Sequence, residues 1–521
     1  MRPQEWIAHD PDPVTAAELA ACNPNQLAAR FAHPLRFGTA GLRGPVRGGP
    51  NAMNVAVVLR ATWAVARVLT NRGCAGGHVV VGRDARHGST EFASAAADVL
   101  AAEGFSVLKF PDPAPTPVLA FAVRHIGAAA GIQITASHNP RTDNGYKVYF
   151  DGGIQIVAPT DAEIEAAMAA APPADRIARR PLRPDVAGYA ELLELYIARA
   201  ASVRRSSGAA RVALTPMHGV GGATAVETLR RAGFEVRTVA TQFAPDPDFP
   251  TVAFPNPEEP GATDALLALA AEIDADVAIA LDPDADRCAV GIPTDSGWRM
   301  LSGDETGWLL GDYILSHNPD PSTAVVASTV VSSRMLAAIA AHYGATHVET
   351  LTGFKWLARA DADRPGSLVY AYEEAIGHCV DPDALRDKDG ISAAVLACDL
   401  VADLQRQGRT VSDALDGLAL RYGVHKVAAV SRRVTTPAEA AAVMRRLRAD
   451  PPAELVGLPA NVNDITDALI FTASDNDTAA RVVVRTSGTE PKLKCYVEIR
   501  CPDTVRAGAL VDQLVATVKG W

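Results

Sequence analysis

Three times along this chain, short β-rich runs alternate with amphipathic stretches of about three turns, a rhythm that predicts strand–helix–strand units and largely parallel sheets. The first set comprises residues 78–81, 91–102, 105–110, 117–126 and 128–136. A second covers 211–215, 223–232, 234–239, 265–273 and 277–281, with the Pro-rich 244–260 as a long connection. A third covers 325–331, 335–343, 347–351, 355–362 and 368–372, followed by helical segments at 392–407 and 411–422. The pattern then changes. An apolar run near Val427, a helix over 437–447, a β-rich pair within 481–500 and a terminal helix predict a smaller α+β domain. The expected division is 1–205, 206–320, 321–425 and 426–521.

A chain of 521 residues, at ~150 per domain, has room for three or four such cores. Apolar residues at 48% and charged residues at 21% exclude a disordered or collagen-like chain. The net charge of −11 repels a polyanion, so no nucleic-acid partner is expected, although a phosphate site needs only a few placed cations. The N-terminus lacks the apolar stretch of a signal peptide, and no run approaches the ~18 apolar residues of a membrane span. A cytoplasmic protein with no membrane partner is expected. The seven cysteines are scattered, without a C-x-x-C pair, and read as reduced core thiols.

Open α/β sheets bind ligands at the carboxyl ends of their strands, and four polar loops stand there or between strands. Thr135-Ala136-Ser137-His138-Asn139-Pro140 follows an apolar strand, and a hydroxyl held outward by a Pro-terminated turn is accessible to an electrophilic phosphorus. His138 and Lys147 are placed to supply proton transfer or charge; the alternative is an ordinary polar turn. Asp282-Pro283-Asp284-Ala285-Asp286-Arg287 sets carboxylates at alternate positions, the hard oxygen donors that suit magnesium. It is not an EF-hand, because the sixth and twelfth places are Arg287 and Pro293; a solvated acidic turn is the alternative.

Tyr372-Glu373-Glu374-Ala375-Ile376-Gly377 offers adjacent carboxylates to vicinal sugar hydroxyls, or else a solvated pair. Arg485-Thr486-Ser487-Gly488-Thr489-Glu490-Pro491-Lys492 combines a guanidinium, hydroxyls and a glycine, complementary to a dianionic phosphate, or else connects a hairpin. Walker and dinucleotide loops are absent. Among smaller candidates, Arg83 and Asp84 read as a buried ion pair bracing the serine loop. Thr352-Gly353-Phe354-Lys355 and Arg386-Asp387-Lys388-Asp389-Gly390 each put a lysine near an element end, as a phosphate or sugar contact or a helix cap. His218 reads as structural, and the segment before Phe37 carries no interpretable motif.

Together these loops resemble the α-D-phosphohexomutase family of phosphoglucomutases and phosphomannomutases, from about Phe37 to Tyr496. Phe37-Gly-Thr-Ala-Gly-Leu-Arg43-Gly44 also resembles that family's N-terminal signature. The resemblance implies three similar α/β domains with mixed sheets and a smaller C-terminal α+β domain around a central cleft. It implies that Ser137 carries a phosphoryl group that completes a one-ion magnesium site with Asp282, Asp284 and Asp286, and that Arg43, His138 and Lys147 flank it. By the same likeness Arg287, Thr352, Gly353, Glu373, Ala375 and Lys388 face the sugar phosphate, and Arg485, Ser487, Gly488 and Thr489 hold its non-reacting phosphate. The implied reaction converts a sugar 1-phosphate to the 6-phosphate, glucose or mannose, through a sugar bisphosphate that also serves as primer. Partners are then small-molecule phosphosugars, and the chain is a monomer or homodimer.

Two departures qualify the sugar. Ala375 stands where many members have serine, and Tyr372 replaces a glycine, features closer to the branch with phosphopentomutases and glucose bisphosphate synthases. A pentose phosphate is therefore the alternative substrate. An aspartyl-phosphate phosphatase using Asp282, or a non-catalytic sugar-phosphate sensor, are remoter readings.

Overall fold

The apolar runs become strands because they are short, rich in valine and isoleucine, and bounded by turn residues. The computed structural model describes residues 2–38, 41–434, 436–466, 468–486 and 492–521. β1 (Leu42–Pro45), β2 (His78–Arg83), β3 (Ser106–Lys109), β4 (Ala130–Ile134), β5 (Asp143–Phe150) and β6 (Ile154–Gln155) form one sheet, in the order β1-β5-β4-β2-β3 with β6 on β5. The strands β2, β3 and β4 are parallel, whereas β5 runs antiparallel to β4 and β1. A second sheet takes β7 (Arg211–Thr215), β8 (Glu235–Thr238), β9 (Val277–Leu281), β10 (Cys288–Thr294) and β11 (Gly297–Met300) in the order β11-β10-β9-β7-β8. Its last two strands are antiparallel. Both sheets are thus mixed: the parallel rhythm predicted them only up to the loop that carries the polar residues, after which the chain turns straight back.

Helices cover these sheets. Val55–Asn71 starts where the Asn54 side chain accepts the Val57 N–H at 3.0 Å, and it buries Val58, Leu59, Val65 and Leu69 in the first core. The segment before Phe37, uninterpreted from sequence, folds as three short helices, Pro3–Ala8, Pro13–Ala20 and Pro24–Phe31. Each begins with proline at its first position, where the missing N–H is not needed, and they add Trp6 and Leu19 to the same core.

The chain divides into two compact units, 1–301 with 375–403, and 302–374 with 404–521. In the second, β12 (Ala324–Thr329) lies parallel between β13 (Thr346–Thr350) and β14 (Ser367–Glu373). The short β15 (Gly377–Cys379) belongs to the first unit. A fully antiparallel sheet follows, β16 (Val424–Arg433), β19 (Asn461–Ile465), β20 (Ala468–Ser474), β21 (Ala479–Thr486) and β22 (Lys492–Cys501) in the order β16-β22-β21-β20-β19, with β17 (Glu454–Leu455) and β18 (Leu458–Pro459) as a separate pair. Alternate residues Leu493, Cys495, Val497 and Ile499 of β22 enter a core shared with the helix Thr504–Lys519, the α+β pattern expected. All seven cysteines are free thiols, five of them buried. No described helix is long and apolar enough to cross a membrane.

Candidate active site

The serine loop is a strained turn with a purpose-built brace. Ser137 has φ of 52°, a left-handed backbone that serine rarely adopts, and its N–H donates to Thr135 Oγ1 at 2.9 Å. The buried Arg86 guanidinium donates to the carbonyls of Ser137 (2.7 Å), Asn139 (2.6 Å), Pro140 (2.8 Å) and Asp143 (3.1 Å). Asp84 balances it, 3.4 Å from Arg86 Nε. The expected Arg83–Asp84 pair is therefore corrected: Asp84 pairs with Arg86, while Arg83 reaches only the Asp84 carbonyl, at 3.3 Å. β2 ends at Arg83, and the arginine turned under the loop is the one beyond the strand.

The aspartate loop is cradled by backbone. Ala285 has φ of 57°, and the Asp282 carbonyl accepts its N–H at 2.9 Å, closing a tight turn. A Cβ at Gly219 would lie 2.4 Å from Pro283 Cα, and one at Gly390 would lie 2.3 Å from the Arg287 carbonyl, so only glycine lets these segments approach. Thr116 donates twice to Asp284, through N–H to the carbonyl (2.9 Å) and through Oγ1 to Oδ2 (2.5 Å).

The two loops meet. Ser137 Oγ donates to Asp282 Oδ2 at 2.7 Å and lies 3.2 Å from His138 Nδ1. Lys147 Nζ donates to Asp284 Oδ2 and Asp286 Oδ2, both at 2.7 Å, and Lys388 Nζ stands 3.4 Å from Asp286 Oδ2. Arg43, on β1, donates to Asn139 Oδ1 at 3.2 Å. The Arg287 N–H donates to Asp282 Oδ1 (3.0 Å) and its guanidinium to the Ala375 carbonyl (2.8 Å).

The three aspartates are buried, and their ligand oxygens lie within 4.8 Å of one another. Asp284 Oδ1 and Asp286 Oδ1 are buried without a hydrogen-bond partner, while Lys147 occupies the opposite oxygens. Two buried oxygens without a hydrogen bond, one of them 3.8 Å from Arg287 Nε, beside a third carboxylate fit a hard divalent cation, since burial leaves them short of the bonds that water would supply. Electrostatics agrees. Burial, then Asp284 and Asp286, push the Asp282 carboxyl well above its usual range. Burial also works against ionised Asp286, but Lys147, Lys388 and Arg287 outweigh it and hold that carboxyl low. Lys147 is buried too, yet Asp284 and Asp286 keep it protonated. Burial, with Arg287 and Arg43 nearby, keeps the His138 imidazole neutral.

Glu373, Thr352, Gly353 and Arg485 belong to the second unit. Glu373 ends β14, Gly353 with φ of 111° precedes the short helix Phe354–Leu357, and Arg485 lies near the end of β21. Glu374 accepts from Thr329 Oγ1 and Ser332 Oγ, both at 3.1 Å. Ser487, Gly488 and Thr489 lie outside the described residues. Asp389 caps a helix, accepting the N–H groups of Ile391 (2.9 Å) and Ser392 (3.1 Å), as the cap reading of that turn allows. His218 is structural as expected, with Nε2 2.8 Å from Thr251 Oγ1. Sequence reasoning missed Thr116 and Arg86; neither has a local pattern that distinguishes it from a helix start or a surface arginine.

Known proteins carry the same architecture. The chain matches the phosphoglucomutase/phosphomannomutase domain families throughout: alpha/beta/alpha domains I, II and III over residues 34–174, 189–295 and 302–422, and the C-terminal domain over 432–517. A Haemophilus influenzae "Probable phosphomannomutase" is 40% identical over 82% of this chain and 88% of its own. The Mus musculus phosphopentomutase is 32% identical over 99% of this chain and 93% of its own. In structure, a phosphoglucomutase/phosphomannomutase family protein from Burkholderia thailandensis superposes with a TM-score of 0.72 at 22% identity, over 92% of this chain and 97% of that one, a likeness of fold. This chain belongs to the phosphoglucomutase/phosphomannomutase family, whose members are intramolecular phosphotransferases acting on phosphosugars.

Proposed function

We propose that this chain interconverts the 1- and 6-phosphates of glucose and/or mannose, with Ser137 as the phosphoryl carrier. The observation that carries the reading is the 2.7 Å contact between Ser137 Oγ and Asp282 Oδ2, which sets the nucleophilic oxygen beside the carboxylate cluster. Magnesium would be held by Asp282, Asp284 and Asp286 with an oxygen of the phosphorylated serine; bound there, such an ion offsets the phosphoserine's nearly two negative charges and polarises phosphorus.

The chain's own residues do the rest. The Arg86 brace holds Ser137 in its left-handed turn, so the attacking sugar hydroxyl and the serine oxygen approach phosphorus from fixed opposite sides. Arg43 steadies the transferring group, and His138 or Lys147 moves the proton of the sugar hydroxyl. Glu373 accepts hydrogen bonds from sugar hydroxyls, Arg287, Thr352, Gly353, Ala375 and Lys388 line the sugar-phosphate path, and Arg485 with Ser487, Gly488 and Thr489 grips the non-reacting phosphate. Transfer gives a sugar bisphosphate, which reorients and returns its other phosphoryl group to Ser137; the same bisphosphate primes the unphosphorylated enzyme.

A pentose phosphate is the second reading, favoured by Ala375 and by phosphopentomutase relatives such as the mouse protein. A panel of glucose, mannose and ribose 1-phosphates, with magnesium and a trace of bisphosphate, tests both: 6-phosphate products support the first, ribose 5-phosphate alone the second, and no product from any sugar refutes the mutase reading.

A further inference from the structure

Beside the aspartate loop, the turn 386–390 is fixed by buried side chains that no step above uses. Asp387 Oδ2 accepts Tyr149 OH at 2.9 Å and Gln155 Nε2 at 2.7 Å. Its Oδ1 accepts the Lys388 N–H at 2.8 Å and lies 3.6 Å from Lys388 Nζ. Asp387, Lys388, Tyr149 and Gln155 are all buried. Tyr149 is two residues beyond Lys147 on β5, so both project from the same face of one strand, one to Asp387 and the other to Asp284 and Asp286. The next residue, Asp389, accepts Tyr196 OH at 2.8 Å, and the Gly390 N–H donates to the Ala285 carbonyl at 3.1 Å. The turn is thereby locked to the aspartate loop itself.

A lysine side chain has four rotatable bonds, and its ammonium stays at one place only when something holds it there. Here two carboxylates flank the ammonium, Asp286 Oδ2 at 3.4 Å and Asp387 Oδ1 at 3.6 Å, and the other oxygen of Asp387 accepts from the tyrosine and the glutamine, which fix that carboxylate's plane. We propose that Asp387, oriented by Tyr149 and Gln155, is a positioning residue that presents the Lys388 ammonium beside Asp286 to the phosphoryl group of the sugar phosphate. This rests on the mutase reading, in which Lys388 meets substrate. Asp387 touches no substrate and acts through Lys388.

The test is a double-mutant cycle on the full-length enzyme with Asp387→Asn, which keeps shape and removes the charge, and Lys388→Met. Asp387→Asn is expected to raise KM for the sugar 1-phosphate about tenfold, the size of one charge-assisted contact, with kcat within about twofold. The double variant should be no worse than Lys388→Met alone. An unchanged KM, a loss confined to kcat, or additive losses in the double variant would overturn the proposal. If Asp387→Asn fails to fold, Tyr149→Phe, which removes one donor and keeps the ring, should raise KM in the same direction through the same cycle; no change in KM refutes the proposal. A crystal structure of the folded variant gives a readout independent of turnover: Lys388 Nζ should leave Asp286, and its staying within 3.4 Å overturns the proposal even if the wild-type enzyme shows no mutase activity.

Discussion

Ser137 Oγ and Asp282 Oδ2 are 2.7 Å apart although 145 residues of chain separate them. The contact joins a hydroxyl to a cluster of three buried carboxylates, two of which keep an oxygen without a hydrogen bond. Chelation is therefore expected to abolish turnover and lower the melting temperature, with magnesium restoring both. Asp284→Asn should weaken the magnesium dependence of melting about tenfold or more. A variant that titrates with magnesium like the parent would contradict this ligand set.

Lys147 is the counter-charge of the same cluster. Replacing it with methionine leaves Asp284 and Asp286 buried without their 2.7 Å partner, a change of the kind that costs about 3–5 kcal/mol when one member of a buried pair is removed. Urea unfolding without divalent ions should show that loss. Turnover should fall about 10²-fold or more if Lys147 also moves the proton, and a Lys147→Ala pH–rate profile superimposable on the parent's assigns proton transfer to His138 instead.

Arg86 serves geometry alone. Three carbonyls of the serine loop and that of Asp143, at the start of β5, accept from its guanidinium, and lysine cannot reproduce that fan of donors. Arg86→Lys is expected to reduce kcat about 10²-fold with Ser137 still present, because the left-handed turn relaxes. Parent-like kcat would show that the loop holds its shape unaided.

What was legible from the sequence followed locality. The strands and helices of the three repeats, the four polar loops and the α+β ending are each written in a few consecutive residues. Arg86 was misread as Arg83 because which of two arginines turns under a loop depends on where β2 ends, a tertiary matter. Thr116 and the Tyr149–Asp387 contact join residues far apart in the chain, so no window contains the pattern. The antiparallel returns of β5 and β10 were hidden because a buried strand reads the same in either direction.

In the second unit, Asp304 accepts the Ser333 N–H (2.9 Å) and Tyr372 OH (2.8 Å). Burial, with Glu374 and Glu498 adding, pushes its carboxyl up to about 7. The folded chain then binds a proton that the unfolded chain releases near pH 4, so this group's contribution to stability is full below that value and is lost as pH rises toward 7. Asp304→Asn should flatten stability across that window by about 2–4 kcal/mol relative to the parent. Denaturant melts at pH 4.5 and 7 compare the two, and parallel pH curves would contradict the assignment.

The central claim is that Ser137 carries the phosphoryl group. Phosphopeptide mapping after incubation with a sugar bisphosphate and magnesium tests it most directly: the account predicts a stable phosphate ester on the peptide containing Ser137, lost in Ser137→Ala together with all turnover. A hydroxylamine-sensitive acyl phosphate on Asp282, or undiminished turnover by Ser137→Ala in a contaminant-free preparation, would contradict it.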